Sequence, residues 1–319
     1  MYLLPRPQEM LLQDNVFYVD YTAEICIDPE ASPEWLHYAS LLQKEIEQDT
    51  GFHLNINRNL PVFQTPSILL KSTSGHSQQE YTLRIRESGI LLTASSNSGM
   101  LYAIQTLRQI IRQEGACLPG LDIHDFPVIS NRGLYYDVTR GRIPTLSYLK
   151  KMADTLSFYK INQLHLYIEH TYMFRNLSEV WRDDTPLTSS DILELDRYCA
   201  DLGIELVPSI AAFGHLYKIL RTKSFRHLCE REDLCEEPFG FIDRMEHHTI
   251  DVSNEESFSF IWSLIEEYLP LFRSDKFNIC GDETFDLGTG KSHELAEREG
   301  TQQLYIQYIK KLCDALVTH

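Results

Sequence analysis

From Arg132 onwards, short apolar runs of strand length alternate with amphipathic stretches of helix length, and this rhythm constrains the fold more than any other feature of the chain. "RGLYYDVT" reads as a strand and "PTLSYLKKMADTLSFYK" as a helix opened by Pro144. "INQLHLYIE" is a second strand; "TSSDILELDRYCADLG" is a helix with Ser and Thr at its start and Gly203 at its end. "IELVPSIAA" is a third strand. A long irregular stretch, about 213–252, leads to the helix "SNEESFSFIWSLIEEYLPLF", where Ser253 and Glu256 have capping-box spacing. "KFNIC" is the fourth strand and "SHELAEREGTQQLYIQYIKKLCDALV" the fourth helix. Repeated strand–helix units need right-handed crossovers and a parallel sheet, so the class is α/β.

A barrel is preferred over an open doubly wound sheet. No glycine-rich phosphate turn follows any strand, and polar residues cluster just past the strand ends: Asp137, Thr139 and Arg140; Glu169 and His170; His215; Asp282 and Glu283. In a (β/α)8 TIM-type barrel those positions converge on one face. A full barrel needs roughly 250 residues, and the stretch from Asn131 to His319 falls short of that. Only about the first four βα units are present, so the chain is expected to be a truncated piece of a longer protein.

Ahead of the barrel, residues 1–125 read as a small α+β domain. "NVFYVDYTAEICID" has strand composition, and "SPEWLHYASLLQKEIEQDTG" is a helix with Ser32 as N-cap, Pro33 at its first position and Gly51 past its end. "SILLKS", "EYTLRIRESGILLTASS" and "GMLYAIQTLRQIIRQEG" read as a strand, a hairpin around Ser88-Gly89 and a helix. "DFPVISN", with Pro127, marks the boundary, leaving 126–319 as the barrel half.

Charge and cysteine usage narrow the partners. With 29 basic and 46 acidic residues, the chain carries −17, which argues against nucleic acid and anionic membrane surfaces. No apolar run reaches the length of a membrane span, and "MYLLPRPQEMLLQDN" lacks the pattern of a signal peptide. Seven scattered cysteines look like reduced thiols, so a cytoplasmic location is expected.

Within "FNICGDETFD" (277–286), an apolar strand runs into Asp282, Glu283 and Asp286. Burying unpaired carboxylates costs several kcal/mol, so such a cluster calls for a use. Adjacent acids cannot flank a sugar from opposite sides as the usual glycosidase pair does. They suit a different task, in which one protonates a leaving oxygen while the other orients a group on the substrate. A helix-capping acid with a salt-bridged neighbour would give the same letters.

The phrases "RGLYYDVTRGRIP", "KINQLHLYIE" and "CGDETFDLG", in that order, resemble family 20 glycoside hydrolases, the β-N-acetylhexosaminidases. "LLPRPQEM" and "EYTLRIRESGILLTASSNSGMLYAIQTLRQII" are similar to phrases of that family's small α+β domain. The resemblance implies that Glu283 is the general acid/base and that Asp282 holds the substrate's 2-acetamido group. It implies that Arg132 hydrogen-bonds the terminal sugar's hydroxyls and that His215 supports the acid through a relay. Two departures mark a divergent subfamily. Ala211, Ala212 and Phe213 stand where common members have an acidic residue and a proline, and Glu169, His170 and Thr171 stand near their consecutive aspartates. Glu169 becomes a candidate relay or substrate contact.

The implied chemistry is substrate-assisted. Glu283, kept protonated by burial and its acidic neighbour, donates to the glycosidic oxygen. The acetamide carbonyl, polarised by Asp282, attacks the anomeric carbon and gives an oxazolinium ion that water opens with retention. The partner is a glycan ending in β-linked N-acetylglucosamine or N-acetylgalactosamine; no metal or organic cofactor is required. A half-barrel is expected to self-associate through its exposed edges. The alternative is a non-catalytic carbohydrate-binding or structural relative that keeps the scaffold. Elsewhere, "HLYIEH" lies on a strand, which places His165, Tyr167 and Glu169 on one face and His170 on the other. Trp181, Tyr172 and Phe174, in the loop after the second strand, are candidate sugar contacts; Trp262 is expected in the core and Glu246–His248 in solvent.

Overall fold

The computed structural model describes residues 1–61 and 66–319. The chain divides into two compact units: Met1–Arg132 with Met152–Asn162 and Cys199–Ile204, and Gly133–Lys151 with Gln163–Tyr198 and Glu205–His319.

The first unit contains β1 (Glu9–Tyr18), β2 (Glu24–Ile27), α1 (Trp35–Thr50), β3 (Asn55–Asn57), β4 (Ser67–Ser72), β5 (Tyr81–Arg86), β6 (Gly89–Ala94), α2 (Asn97–Glu114) and β7 (Cys117–Asp125). Its strands form one mixed sheet in the order β1-β7-β5-β6-β4-β2-β3. The stretch expected as one strand is two, because Asp20 Oδ1 accepts the N–H of Thr22 at 2.7 Å and turns the chain between them. In β5, Tyr81, Leu83 and Ile85 alternate inward with Thr82 and Arg84. They join Trp35 and Leu42 of α1 and Met100 and Ile104 of α2 in a single core. Helix α2 starts where Ser96 Oγ accepts the N–H of Gly99 at 3.1 Å and stops at Gly115 (φ +63°).

The second unit carries β8 (Gly133–Asp137), α3 (Leu146–Phe158, its last turns packed in the first unit), β9 (Gln163–Ile168), the single turn α4 (Ser178–Trp181), α5 (Ser189–Asp201) and β10 (Glu205–Ile210). Short turns α6 (Tyr217–Leu220) and α7 (Asp243–Glu246) punctuate the long connection, followed by α8 (Glu255–Tyr268), α9 (His293–Glu299) and α10 (Thr301–Thr318). Strands β8, β9 and β10 are parallel and in register, with β9 central. "KFNIC" does not form a full fourth strand. It meets β10 through one bridge, Asn278 with Ser209, because Cys280 (φ +46°) turns the chain out of the ladder. The result is a partial (β/α) barrel. The expected single last helix is broken by Gly300 (φ +92°). At the start of α8, Asn254 rather than Ser253 is the cap, its Oδ1 accepting from Glu256 N at 2.9 Å. Among the described residues no helix is long and apolar enough to cross a membrane.

Gly99 tests the packing of α2. Alanine normally improves on glycine in a helix by up to about 1 kcal/mol, but a Cβ here would lie 2.4 Å from the carbonyl oxygen of Glu80. Gly99→Ala is therefore expected to destabilise the chain by about 1–3 kcal/mol in urea unfolding; a gain in stability would contradict this contact.

Candidate active site

The floor of the site follows from strand alternation. Tyr135 of β8, His165 and Tyr167 of β9, Ser209 of β10 and Cys280 share one face. The Tyr135 hydroxyl lies 3.2 Å from both Ser209 Oγ and Cys280 Sγ, which are 3.1 Å apart. The Tyr135 ring stands 6.0 Å from that of His165 and 5.9 Å from that of Tyr167.

Past the strand ends the charged residues gather. Asp137 Oδ1 accepts the N–H groups of Thr139 and Arg140 at 2.8 and 2.9 Å, a local turn that folds Arg140 back over the sheet. The Arg140 guanidinium sits 4.9 Å over the Tyr167 ring and 3.1 Å from Glu169 Oε1. Tyr167 also donates to Glu169 Oε1, at 3.1 Å. Burial pushes the Glu169 carboxyl up to about 7 even though Arg140 pulls the other way. His170 lies just past the end of β9, its Nδ1 3.7 Å from Glu169 Oε2; burial, with Lys218 nearby, pushes it down to about 3.

His215 and the acid pair form the centre. His215 Nε2 is 3.2 Å from Glu283 Oε2 and 3.6 Å from Asp282 Oδ2. Its side chain is only 2% exposed, against 64% for Asp282 and 44% for Glu283. The carboxylates were expected to be buried; instead the histidine beneath them is, and the acids stand open to solvent. Burial first, then the charge of Arg140, lowers the His215 pKa, while the two acids oppose that shift. Both segments bend sharply here: His215 (φ +60°), Cys280 (φ +46°) and Glu283 (φ +50°) are all left-handed. Gly214 allows the approach, since a Cβ on it would meet the carbonyl oxygens of Asp282 and Glu283 at 2.9 and 3.2 Å. Phe213 is fully buried and stacks on Tyr305 of α10 at 5.5 Å, while Tyr308 Oη donates to Ala212 O at 3.1 Å. The unusual Ala-Ala-Phe phrase thus packs against α10. Tyr305 also donates to Gly281 O at 2.9 Å, so one helix anchors both segments.

Sequence reasoning placed other residues less well. Arg132 precedes β8, at the end opposite Asp137, and the structure does not bring it to the acid pair. Its guanidinium donates to Lys160 O, Gln79 Oε1, Ile129 O, Ser130 O and Tyr102 Oη, all within the first unit. Arg140, eight residues on in the same phrase, occupies the site instead. Lys160 of the phrase "KINQ" is also structural: buried, it donates to Asp125 Oδ2 at 2.9 Å and Tyr81 Oη at 2.8 Å. Asp286 is buried, accepting from His247 Nδ1 at 3.0 Å and His248 N at 2.9 Å. His248 was expected in solvent and is fully enclosed, because Asp286 and Tyr217 hold it from distant parts of the chain. Tyr172 and Phe174 pack on Tyr268, and Trp181 donates to Phe174 O at 2.7 Å, so this group builds the protein's interior. Trp262, expected in the core, is half-buried beside Phe258. By spacing alone, His215, Asp282 and Glu283 could also hold a cation, their ligand atoms lying within 4.8 Å of one another.

An acid pair just past the segment that bridges to β10, backed by a buried histidine and a neighbouring arginine–glutamate pair, is an arrangement suited to general acid/base chemistry. Comparison with known proteins agrees. The profile described as "Glycosyl hydrolase family 20, catalytic domain" matches residues 130–318, and "Glycosyl hydrolase family 20, domain 2" matches 1–126. The chain belongs to glycosyl hydrolase family 20. A β-hexosaminidase of Porphyromonas gingivalis is 25% identical over 88% of this chain and 38% of its own length. One of Vibrio furnissii is 24% identical over 93% of this chain and 52% of its own. The fold is similar to part of the Flavobacterium johnsoniae chitobiase, with a TM-score of 0.82 at 22% identity, covering 99% of this chain and 51% of that one. The chain therefore spans only about 38% to 52% of these relatives' lengths.

Glu169 offers a pH test. An unfolded glutamate loses its proton near the ordinary value, so between there and about 7 the folded chain keeps an extra proton and loses stability as pH rises. Glu169→Gln is expected to gain on wild type by on the order of 1–3 kcal/mol from about pH 5 to about pH 8 in urea unfolding. Parallel stability curves would contradict the buried, raised carboxyl.

Proposed function

We propose that the protein acts as a retaining exo-β-N-acetylhexosaminidase on glycans ending in β-linked N-acetylglucosamine or N-acetylgalactosamine. The observation that carries this reading is the trio of Asp282, Glu283 and His215, two adjacent carboxylates over one buried imidazole. Glu283 gives its proton to the glycosidic oxygen as the bond from that oxygen to the anomeric carbon breaks. Asp282 accepts a hydrogen bond from the acetamide N–H, and the acetamide carbonyl oxygen forms the new bond to the anomeric carbon. Water then opens the oxazolinium ring while Glu283 takes its proton, so configuration is retained through two inversions. His215, largely uncharged through burial, holds the Glu283 carboxyl in place. Bound substrate would displace water from the exposed pair and strengthen each of these interactions.

Arg140 rather than Arg132 takes the role of binding sugar hydroxyls, because it is cationic, partly exposed and beside Glu169. The adjacent placement of Asp282 and Glu283 also supports this reading over hydrolysis of sugars lacking the acetamide, which needs a second carboxylate across the site. The charge of −17 supports a glycan partner rather than nucleic acid or an anionic membrane. All seven cysteines are free, which supports a cytoplasmic location. Strand β8 pairs only with β9 among the described strands, and an open edge of this kind supports self-association.

Release of chromophore from an aryl β-N-acetylglucosaminide tests the assignment. Glu283→Gln is expected to lose turnover by at least about a hundredfold while still binding the sugar. Asp282→Asn is expected to be severely impaired on the same substrate, and near-normal rates in either variant would overturn that residue's role.

A further inference from the structure

A cavity of about 280 Å³ opens in the second unit beside Glu169, bordered by Thr139, Arg142, His170, Asp184, Lys218 and Arg244. Three of these residues are basic, in a chain whose net charge is −17. Lys218 is paired with Asp184 at 2.5 Å. Arg142 and Arg244 make no ion pair within 4 Å among the described residues, although the charge of Arg244 reaches Glu169. Aromatic rings hold them instead: Arg142 lies 5.5 Å over Tyr148, and Arg244 lies 5.4 Å over Tyr217 and 4.9 Å over Phe241. Surplus guanidinium charge gathered in one polar cavity is the arrangement that a bound oxyanion completes, since a guanidinium matches sulfate and phosphate oxygens with paired N–H groups.

A second feature points the same way. The His170 side chain borders the cavity and is only 10% exposed, and its Nδ1 makes no hydrogen bond, Glu169 Oε2 lying 3.7 Å from it. A buried ring nitrogen without a partner is costly unless a ligand or water meets it. The cavity also adjoins the site already described. Thr139 precedes Arg140 in the turn made by Asp137, His170 follows Glu169, and the Thr139 and Thr171 hydroxyls are 3.1 Å apart between them. A sugar bordered by Arg140 and Glu169 could therefore extend a substituent into the cavity.

We propose that this cavity is a subsite for an oxyanion, a sulfate or phosphate ester carried by the sugar, recognised by Arg142 and Arg244 with His170 beside them. The inference rests on the glycosidase reading, since it places the anion on the substrate. It makes the site selective for an anionic glycan within a protein that otherwise repels anions, and it confines that attraction to one side of the acid pair.

Calorimetric titration of the full chain with N-acetylglucosamine, its 3-, 4- and 6-sulfates and inorganic sulfate tests the proposal. One sulfated sugar is expected to bind about tenfold more tightly than N-acetylglucosamine, with the advantage shrinking as salt is raised. The double variant Arg142→Gln/Arg244→Gln is expected to lose that advantage while keeping wild-type affinity for N-acetylglucosamine. Equal affinity for the sulfated and plain sugars would overturn the subsite, and so would an advantage that survives the double variant. Inorganic sulfate binding as tightly as the best sulfated sugar would assign the cavity to a free anion and overturn the substrate claim. Failure of wild type to bind any of the sugars would instead overturn the glycosidase reading on which the proposal rests.

Discussion

Two segments meet where Gly214 passes the carbonyl oxygens of Asp282 and Glu283, and the site depends on how closely they approach. A Cβ at that point would be 2.9 Å from the nearer oxygen. Without one, the imidazole of the next residue fits beneath both carboxylates. The approach is made rigid from behind: Tyr305 and Tyr308 of α10 hold Gly281 and Ala212 through their hydroxyls, and the Phe213 ring packs on both tyrosines. Left-handed backbone at His215, Cys280 and Glu283 costs on the order of 1–3 kcal/mol each, and this packing is what offsets it.

The charges around that contact fall into two levels. Asp282 and Glu283 are exposed, while His215 and Glu169 are buried and take opposite shifts from the same cause. Desolvation disfavours the imidazolium and the carboxylate alike, leaving His215 largely uncharged and Glu169 near its midpoint at neutral pH. Arg140 lies between these levels, tied to Asp137 and Glu169 and stacked over Tyr167. Its two carboxylate partners offset its charge, so the surplus cations of the neighbouring cavity are Arg142 and Arg244.

The strand–helix rhythm of the second unit was legible because parallel strands are continuous apolar runs, and β8, β9 and β10 all read that way. The adjacent acids and His215 were legible from their phrases, and the structure brings those three together. Strand β7 was not read as one, because Pro119 and Gly120 break its pattern, and β3 is only three residues long. Arg132 and Arg140 share one phrase; only the direction of β8 separates them, since the residue after the strand reaches the site and the one before it does not. The burial of His248 and Asp286 rests on contacts nearly forty residues apart in the sequence, for which no local pattern exists. The cation-lined cavity has the same origin: Arg142 follows β8, Lys218 is in α6 and Arg244 in α7, so only the folded chain gathers them.

The most direct measurement is the rate of hydrolysis of an aryl β-N-acetylglucosaminide series in which the acetamide carries no, one, two or three fluorines. If Asp282 orients the acetamide so that its carbonyl oxygen attacks the anomeric carbon, each fluorine weakens the nucleophile, and turnover falls steeply and in order. A flat series would contradict substrate assistance at the Asp282–Glu283 pair, and so would the absence of turnover throughout.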